Sequence, residues 1–316
     1  MKYPHRFFFI FILYIGVLDL NSQFIKNISS SHSTISIEFF PPKSEDARLS
    51  LLEEVKKINS LVEVCFFSVT YGAGGTTQKG TLDLVTKLSK IYEERVVAHL
   101  TCIGATMNEL TELIKIYKEN NMFHILALRG DIPEDFPENK LISRDFKYAI
   151  DLLRWLRSIG GFSSIGVACY PEGHPETSNF EKDFQFFSEK VSAGADYAIS
   201  QFFFEPKVWE LFLENCSRKN ISIPLIPGIL PIRNIEQTIR FAKRCGASVP
   251  DKVVKKLLRF KNDISSFNQL SADLTSELIL SLENLGVRHF HIYSLNRSNL
   301  INLISERLGW KKSFNS

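Results

Sequence analysis

The chain has 316 residues, and 38 lysines and arginines against 35 aspartates and glutamates leave a formal charge of +3, too near neutral to mark a nucleic-acid or anionic-membrane partner by bulk charge. Hydrophobic residues make up 44% and charged residues 23%, which excludes disordered, collagen-like and coiled-coil classes and leaves a globular protein with a large core. That length admits two ordinary domains or one barrel. The cysteines, Cys65, Cys102, Cys169, Cys216 and Cys245, are scattered and include no CxxC pair; they argue against a disulfide framework or a zinc site and match a reducing, cytoplasmic setting.

The chain opens on MKYPHRFFFIFILYIGV, in which Lys2 and Arg6 precede an apolar run from Phe7 to Val17. That is the outline of a secretory signal peptide, yet the run is shorter than the roughly 20 apolar residues of a membrane span and no small-x-small cleavage site follows. We read residues 1–30 as a hydrophobic extension and linker that packs against, or frays from, a catalytic domain over 31–312; a membrane association is not expected. A signal, an anchor and an upstream start remain open.

Eight strand-length apolar runs follow: ISIEFF from Ile35, EVCFFSVTY from Glu63, VVAHLTC from Val96, HILALRG from His124, SIGVACY from Ser164, YAISQFFF from Tyr197, PLIPGIL from Pro224 and VRHFHIYSL from Val287. Most are near-continuous, as expected for parallel strands covered on both faces. Between them, segments beginning at Leu49, Thr81, Thr106 and Phe146 place apolar residues at helical intervals, and Thr106 with Glu109 forms a capping-box pattern. The long interval before the last strand must hold extra helix. Eight strand–helix units predict a single-domain α/β (β/α)8 TIM barrel, with an open doubly wound sheet as the alternative.

Polar residues gather in or just after the C-terminal halves of these strands: Glu38, Thr70 and Tyr71, His99 and Thr101, Arg129 and Asp131, Tyr170 and His174, Gln201, and Asn296 with Arg297. In a barrel those positions meet on one rim, where active sites are built. The glycine-rich run Tyr71 to Thr77 can bring backbone N–H groups near a ligand, but it is neither GxGxxG nor a Walker loop. Gly130 of Arg129-Gly130-Asp131 permits close backbone approach to a ligand. No nucleophile elbow and no metal-ligand spacing around His174 is present. The residues alone therefore reach a barrel enzyme with a rim acid, and not its substrate.

The same residues resemble the methylenetetrahydrofolate reductase family in its short bacterial form. The matching blocks run in family order: Ser36 to Lys43, Ser68 to Ala73, His99 to Cys102, Ala127 to Asp131, Tyr170-Pro171-Glu172 with His174-Pro175-Glu176, Gln201 to Phe204, Pro227 to Pro231, and Leu295-Asn296-Arg297. The resemblance implies a flavoenzyme that carries FAD, takes hydride from NADH or NADPH, and reduces 5,10-methylenetetrahydrofolate to 5-methyltetrahydrofolate for methionine synthesis, the two substrates using one flavin face in turn. It implies small-molecule partners and a homo-oligomer. By the same resemblance Glu38 is the general acid, a role that needs a carboxyl holding its proton. Asp131 contacts pterin and tunes the flavin; Gln201 and Arg297 bind folate. Thr70, Tyr71, Ala73 and His99 contact flavin or nicotinamide, and Arg129, Gly130, Tyr148, Ala149, Tyr170, His174, Asp183 and Lys190 hold the rest of the cofactor. Two departures stand out: Ile235 occupies a position that is phenylalanine in the family pattern, and the apolar N-terminal run has no family counterpart. The competing readings are another barrel flavoenzyme resembling proline dehydrogenase, a phosphate-binding lyase, and a membrane-tethered binding protein.

Overall fold

The computed structural model describes residues 23–42, 44–71, 75–132 and 145–310, with the side chains of 75–79 apart. Eight parallel strands close in sequence order into a barrel: β1 (Thr34–Phe39), β2 (Val64–Val69), β3 (Val96–Thr101), β4 (His124–Leu128), β5 (Ser164–Cys169), β6 (Tyr197–Phe202), β7 (Leu225–Ile229) and β8 (His289–Tyr293). β2 to β8 lie within runs expected from the sequence, and β1 begins one residue before its run, at Thr34; closure of the sheet replaces the open-sheet alternative. β8 pairs with β1 from Thr34 opposite His289 to Glu38 opposite Tyr293.

Helices wrap the barrel. A short α1 (Gln23–Ile28) precedes β1; α2 (Glu45–Leu61), α3 (Gly75–Tyr92), α4 (Met107–Glu119), α5 (Ala149–Ile159), α6 (Phe180–Ser192) and α7 (Pro206–Arg218) follow successive strands where described. The expected capping box is present, with Thr106 and Glu109 satisfying each other's backbone N–H groups at the start of α4. The interval before β8 holds three helices, α8 (Ile235–Cys245), α9 (Asp251–Leu258) and α10 (Ile264–Asn284), and α11 (Asn299–Leu308) closes the ring. α3 starts at Gly75, so the glycine-rich run yields its last residues to the helix. Glycine is tolerated there because the first-turn N–H groups have no intrahelical partner. Residues 72–74 of that run, and with them Ala73, lie outside the described residues, as does the apolar run from Phe7 to Val17.

Two layers of burial follow from strand alternation. Outward residues such as Ile37, Phe67, Val69, Leu100 and Val167 join the helices in the main core. Inward residues Phe66, Val97, Leu126, Tyr197, Ile199 and Ile226 fill the lower barrel, and Phe24, Ile25 and Ile28 of α1 cover it. Phe24 stacks on His124 at 4.3 Å between ring centroids. Above this apolar floor the interior turns polar: Ser36, Ser68, His99 and His291 are all buried. No helix among the described residues is long and apolar enough to cross a membrane.

Candidate active site

Glu38 stands near the C-terminal end of β1, pointing inward and only 6% exposed. Its Oε2 lies 3.4 Å from His291 Nε2 and 3.6 Å from His99 Nε2, and Ser68 Oγ is 3.5 Å from the same His291 nitrogen. The strand is held from behind by Ser294, whose hydroxyl donates to the Glu38 carbonyl at 2.6 Å. Burial pushes His99 down to about 4, the Glu38 carboxylate opposing it. The imidazole is therefore neutral near pH 7 and puts no full cation beside the acid. A buried carboxyl facing that neutral ring at a barrel mouth is placed to exchange a proton with a ligand.

A second cluster joins the ends of β4 and β5. Arg129 makes a two-pronged ion pair with Glu176, Nη1 at 2.5 Å and Nη2 at 2.8 Å, tying the β4 turn to the loop after β5. Gly130 has φ +87°, and a Cβ there would meet Ile103 Cγ2 at 2.7 Å and Thr101 Cβ at 2.9 Å. No other residue fits that path. Asp131 is exposed beyond it. Tyr170 packs edge-on to His174 at 4.6 Å; burial raises the Tyr170 phenol, and the charge of Asp131 adds to that. Asp183 and Lys190, two turns apart on α6, face the same loop. Burial lifts the Asp183 carboxyl and lowers the Lys190 ammonium, which donates to the Ala168 carbonyl at 2.5 Å. Arg129, His174, Lys190 and a close-lying glycine backbone form a donor set suited to a phosphorylated ligand.

The third cluster lies where β7 and β8 end. Leu295 and Asn296 both adopt left-handed backbone, φ 50° and 59°. The Asn296 side chain clasps Phe40, accepting from its N–H at 2.8 Å and donating to its carbonyl at 2.9 Å. This turn presents Arg297 to solvent. Arg233, from the loop after β7, donates to the Arg297 carbonyl at 3.1 Å and bonds Asn299; burial, with the Arg297 charge adding, lowers it to about 10. Two guanidinium groups thus lie together at one end of the rim. Gln201 sits half-buried in β6, its side-chain oxygen accepting from the Phe202 N–H at 3.0 Å. Beside it, Gly228 leaves room for Tyr293: a Cβ there would lie 2.6 Å from the tyrosine ring.

Other expected residues lie elsewhere. Thr70 directly follows β2, its N–H bonded to the Phe39 carbonyl at 3.0 Å. Tyr71 packs against the core between sheet and helices, where burial, with the Glu109 charge adding, raises its phenol to about 12. Tyr148, 50% exposed, caps α5, which Ala149 begins. Ile235 is 3% exposed and packs among Ile232, Val253, Leu257 and Phe267, so it offers no stacking face to the rim. Sequence reading missed Arg233, His291, Ser36 and Ser68 as neighbours of the candidate residues. The signal was present in the alternation of Ser36 with Glu38 and of His289, His291 and Tyr293.

The family model for methylenetetrahydrofolate reductase matches residues 23–309. The 5,10-methylenetetrahydrofolate reductase of Buchnera aphidicola subsp. Schizaphis graminum is 38% identical over 274 residues, covering 87% of this chain and 91% of that protein. Its namesake in Escherichia coli K12 is 33% identical over 275 residues, covering 87% and 90%. Among solved structures, an uncharacterized Clostridium thermocellum protein that binds two copies of 5-methyl-5,6,7,8-tetrahydrofolic acid superposes with a TM-score of 0.57 at 15% identity, covering 89% of this chain and 96% of that one. At that identity the likeness shows the fold alone.

Proposed function

Because the chain belongs to the methylenetetrahydrofolate reductase family and is an oxidoreductase, we propose that it reduces 5,10-methylenetetrahydrofolate to 5-methyltetrahydrofolate. In this reading NADH or NADPH is the donor, FAD is bound non-covalently, and the product supplies methyl groups for methionine synthesis. The observation that carries it is Glu38, a buried carboxyl aimed into the mouth of a barrel of this family.

Bound FAD would relay hydride from the nicotinamide to the folate. The chain's own residues supply binding and protons. Arg129, His174 and Lys190 would hold the diphosphate, with Gly130 letting the backbone lie close and Asp183 balancing the lysine. Tyr170, Tyr148 and Ala149 would hold the rest of the cofactor, while Thr70, Tyr71, Ala73 and His99 would contact flavin or nicotinamide. Asp131, exposed at the end of β4, would meet the pterin and set a negative charge against the cofactor. Gln201 and Arg297 would orient the folate, and Arg233 joins Arg297 as a cationic end for its glutamate carboxylates. Glu38 would give its proton to the folate nitrogen as the five-membered ring opens, leaving an iminium carbon ready for hydride.

The test is an anaerobic titration of purified protein. The reading expects a yellow protein that NADH or NADPH bleaches and methylenetetrahydrofolate recolours. A colourless protein that takes up no flavin on reconstitution overturns it.

A further inference from the structure

Glu38 must regain a proton in every cycle, yet it is only 6% exposed. We propose that this proton comes from below, along a file of side chains in the β1–β8 seam, with His291, Ser36, His289 and Thr34 as positioning residues that act through Glu38. The proposal rests on the reading of Glu38 as the acid.

The file is continuous. Thr34 Oγ1 lies 2.5 Å from His289 Nδ1, His289 Nε2 lies 3.1 Å from Ser36 Oγ, Ser36 Oγ lies 2.7 Å from His291 Nδ1, and His291 Nε2 lies 3.4 Å from Glu38 Oε2. Strand alternation explains it: Thr34, Ser36 and Glu38 face inward from β1, and His289 and His291 from β8, in register. The file spans about 13 Å of strand, four residues at roughly 3.3 Å each. His289, Ser36 and His291 are buried, whereas Thr34 is partly exposed at the N-terminal end of the barrel. The last contact is long, as catalytic hydrogen bonds often are before a ligand is bound.

The polarity of the file is fixed by its end. An ionised Glu38 only accepts, so His291 donates from Nε2 and must accept at Nδ1 from the Ser36 hydroxyl. Ser36 in turn accepts from His289 Nε2–H, and His289 accepts at Nδ1 from Thr34. When Glu38 has given its proton to the folate, His291 passes it one from Nε2 and takes one at Nδ1. Each member does likewise, down to Thr34, which takes a proton from water. One proton enters at Thr34 for each one that leaves at Glu38, and both imidazoles stay neutral with the proton on the opposite nitrogen. Resetting the rings reverses those tautomers, with Ser68 at 3.5 Å offering His291 Nε2 a second partner. The groups facing the file are His99 and Glu38 at its head, Tyr293 beside His291, and Phe66 stacked on both histidines. Burial holds His289 near 3, consistent with passage through the neutral ring.

Side-chain 15N NMR of the purified holoprotein reads the file without turnover. Protonating Glu38 should move His291 and His289 together from the Nε2–H to the Nδ1–H tautomer, and Ser36→Ala should uncouple His289. In single-turnover kinetics Thr34→Val, isosteric but without the hydroxyl, should slow folate reduction roughly 10-fold or more, the scale on which general acids contribute, and enlarge the solvent isotope effect. Thr34→Ser should restore the rate, and reduction by the nicotinamide should not change in any of them. Thr34→Val keeps the test open should Ser36→Ala fail to fold, because valine suits a strand end. Wild-type folate reduction in Thr34→Val, or histidine tautomers that ignore Glu38, overturns the relay alone. If Glu38→Gln still reduces folate, the assignment of the acid fails and the relay with it.

Discussion

Glu38 shows how environment turns an ordinary side chain into a candidate acid. A carboxylate in an apolar barrel would be costly unless paired, and here one of its neighbours, His99, is an imidazole that burial keeps uncharged. That burial has a consequence for stability. His99 and His124 are pushed down to about 4 and His289 to about 3, burial leading in each, whereas an unfolded chain has histidines near 6.5. Above about pH 6.5 neither state holds these protons and the contribution is fully present. As pH falls through the window from about 6.5 to 4, the unfolded chain takes up protons that the folded barrel refuses, and stability is lost, on the order of a few kcal/mol for each ring. His124→Asn, remote from Glu38 and held by Ser164 at 2.8 Å, should therefore lose less stability across that window than the parent. Urea midpoints from pH 7 to pH 4.5 read this directly, and parallel curves for the two proteins would show that His124 is not buried neutral.

The turn after β8 does for the third cluster what the barrel wall does for Glu38. Two consecutive left-handed residues that are not glycine store strain, and the double hydrogen bond from Asn296 to Phe40 holds them. Asn296→Ala should cost about 1–3 kcal/mol, seen as a lower urea midpoint, and should raise KM for the folate because Arg297 loses its anchor. Unchanged folate KM in a folded variant would remove Arg297 from the site. Several elements were plain in the sequence: all eight strands fall on the expected apolar runs, β1 starting one residue early at Thr34, and the capping box of α4 formed as written. The clasp by Asn296 was not, because it joins residues 256 positions apart, and no local pattern carries such a contact. Nor was the start of α3 at Gly75, since a glycine cluster reads as loop until the helix it begins is seen.

The barrel also explains why the interior was harder to read than the architecture. Parallel strands bury both faces, so an inward serine or histidine is hidden within a run that looks apolar throughout, and Ser36, His289 and His291 passed as core. Their role emerged only once closure set β8 beside β1. Closure likewise brings the ends of β4 and β5, of β7 and β8, and Glu38 itself onto one rim, so three clusters distant in sequence can serve one folate and one cofactor. The most direct test compares the two half-reactions of Glu38→Gln with the parent by anaerobic stopped-flow absorbance. Bleaching of the flavin by the nicotinamide should proceed at the parental rate, while reoxidation by methylenetetrahydrofolate should fall by a factor on the order of 100 to 10,000. Parental reoxidation, or the loss of both half-reactions in a folded and flavin-loaded variant, would contradict the assignment of Glu38 as the acid.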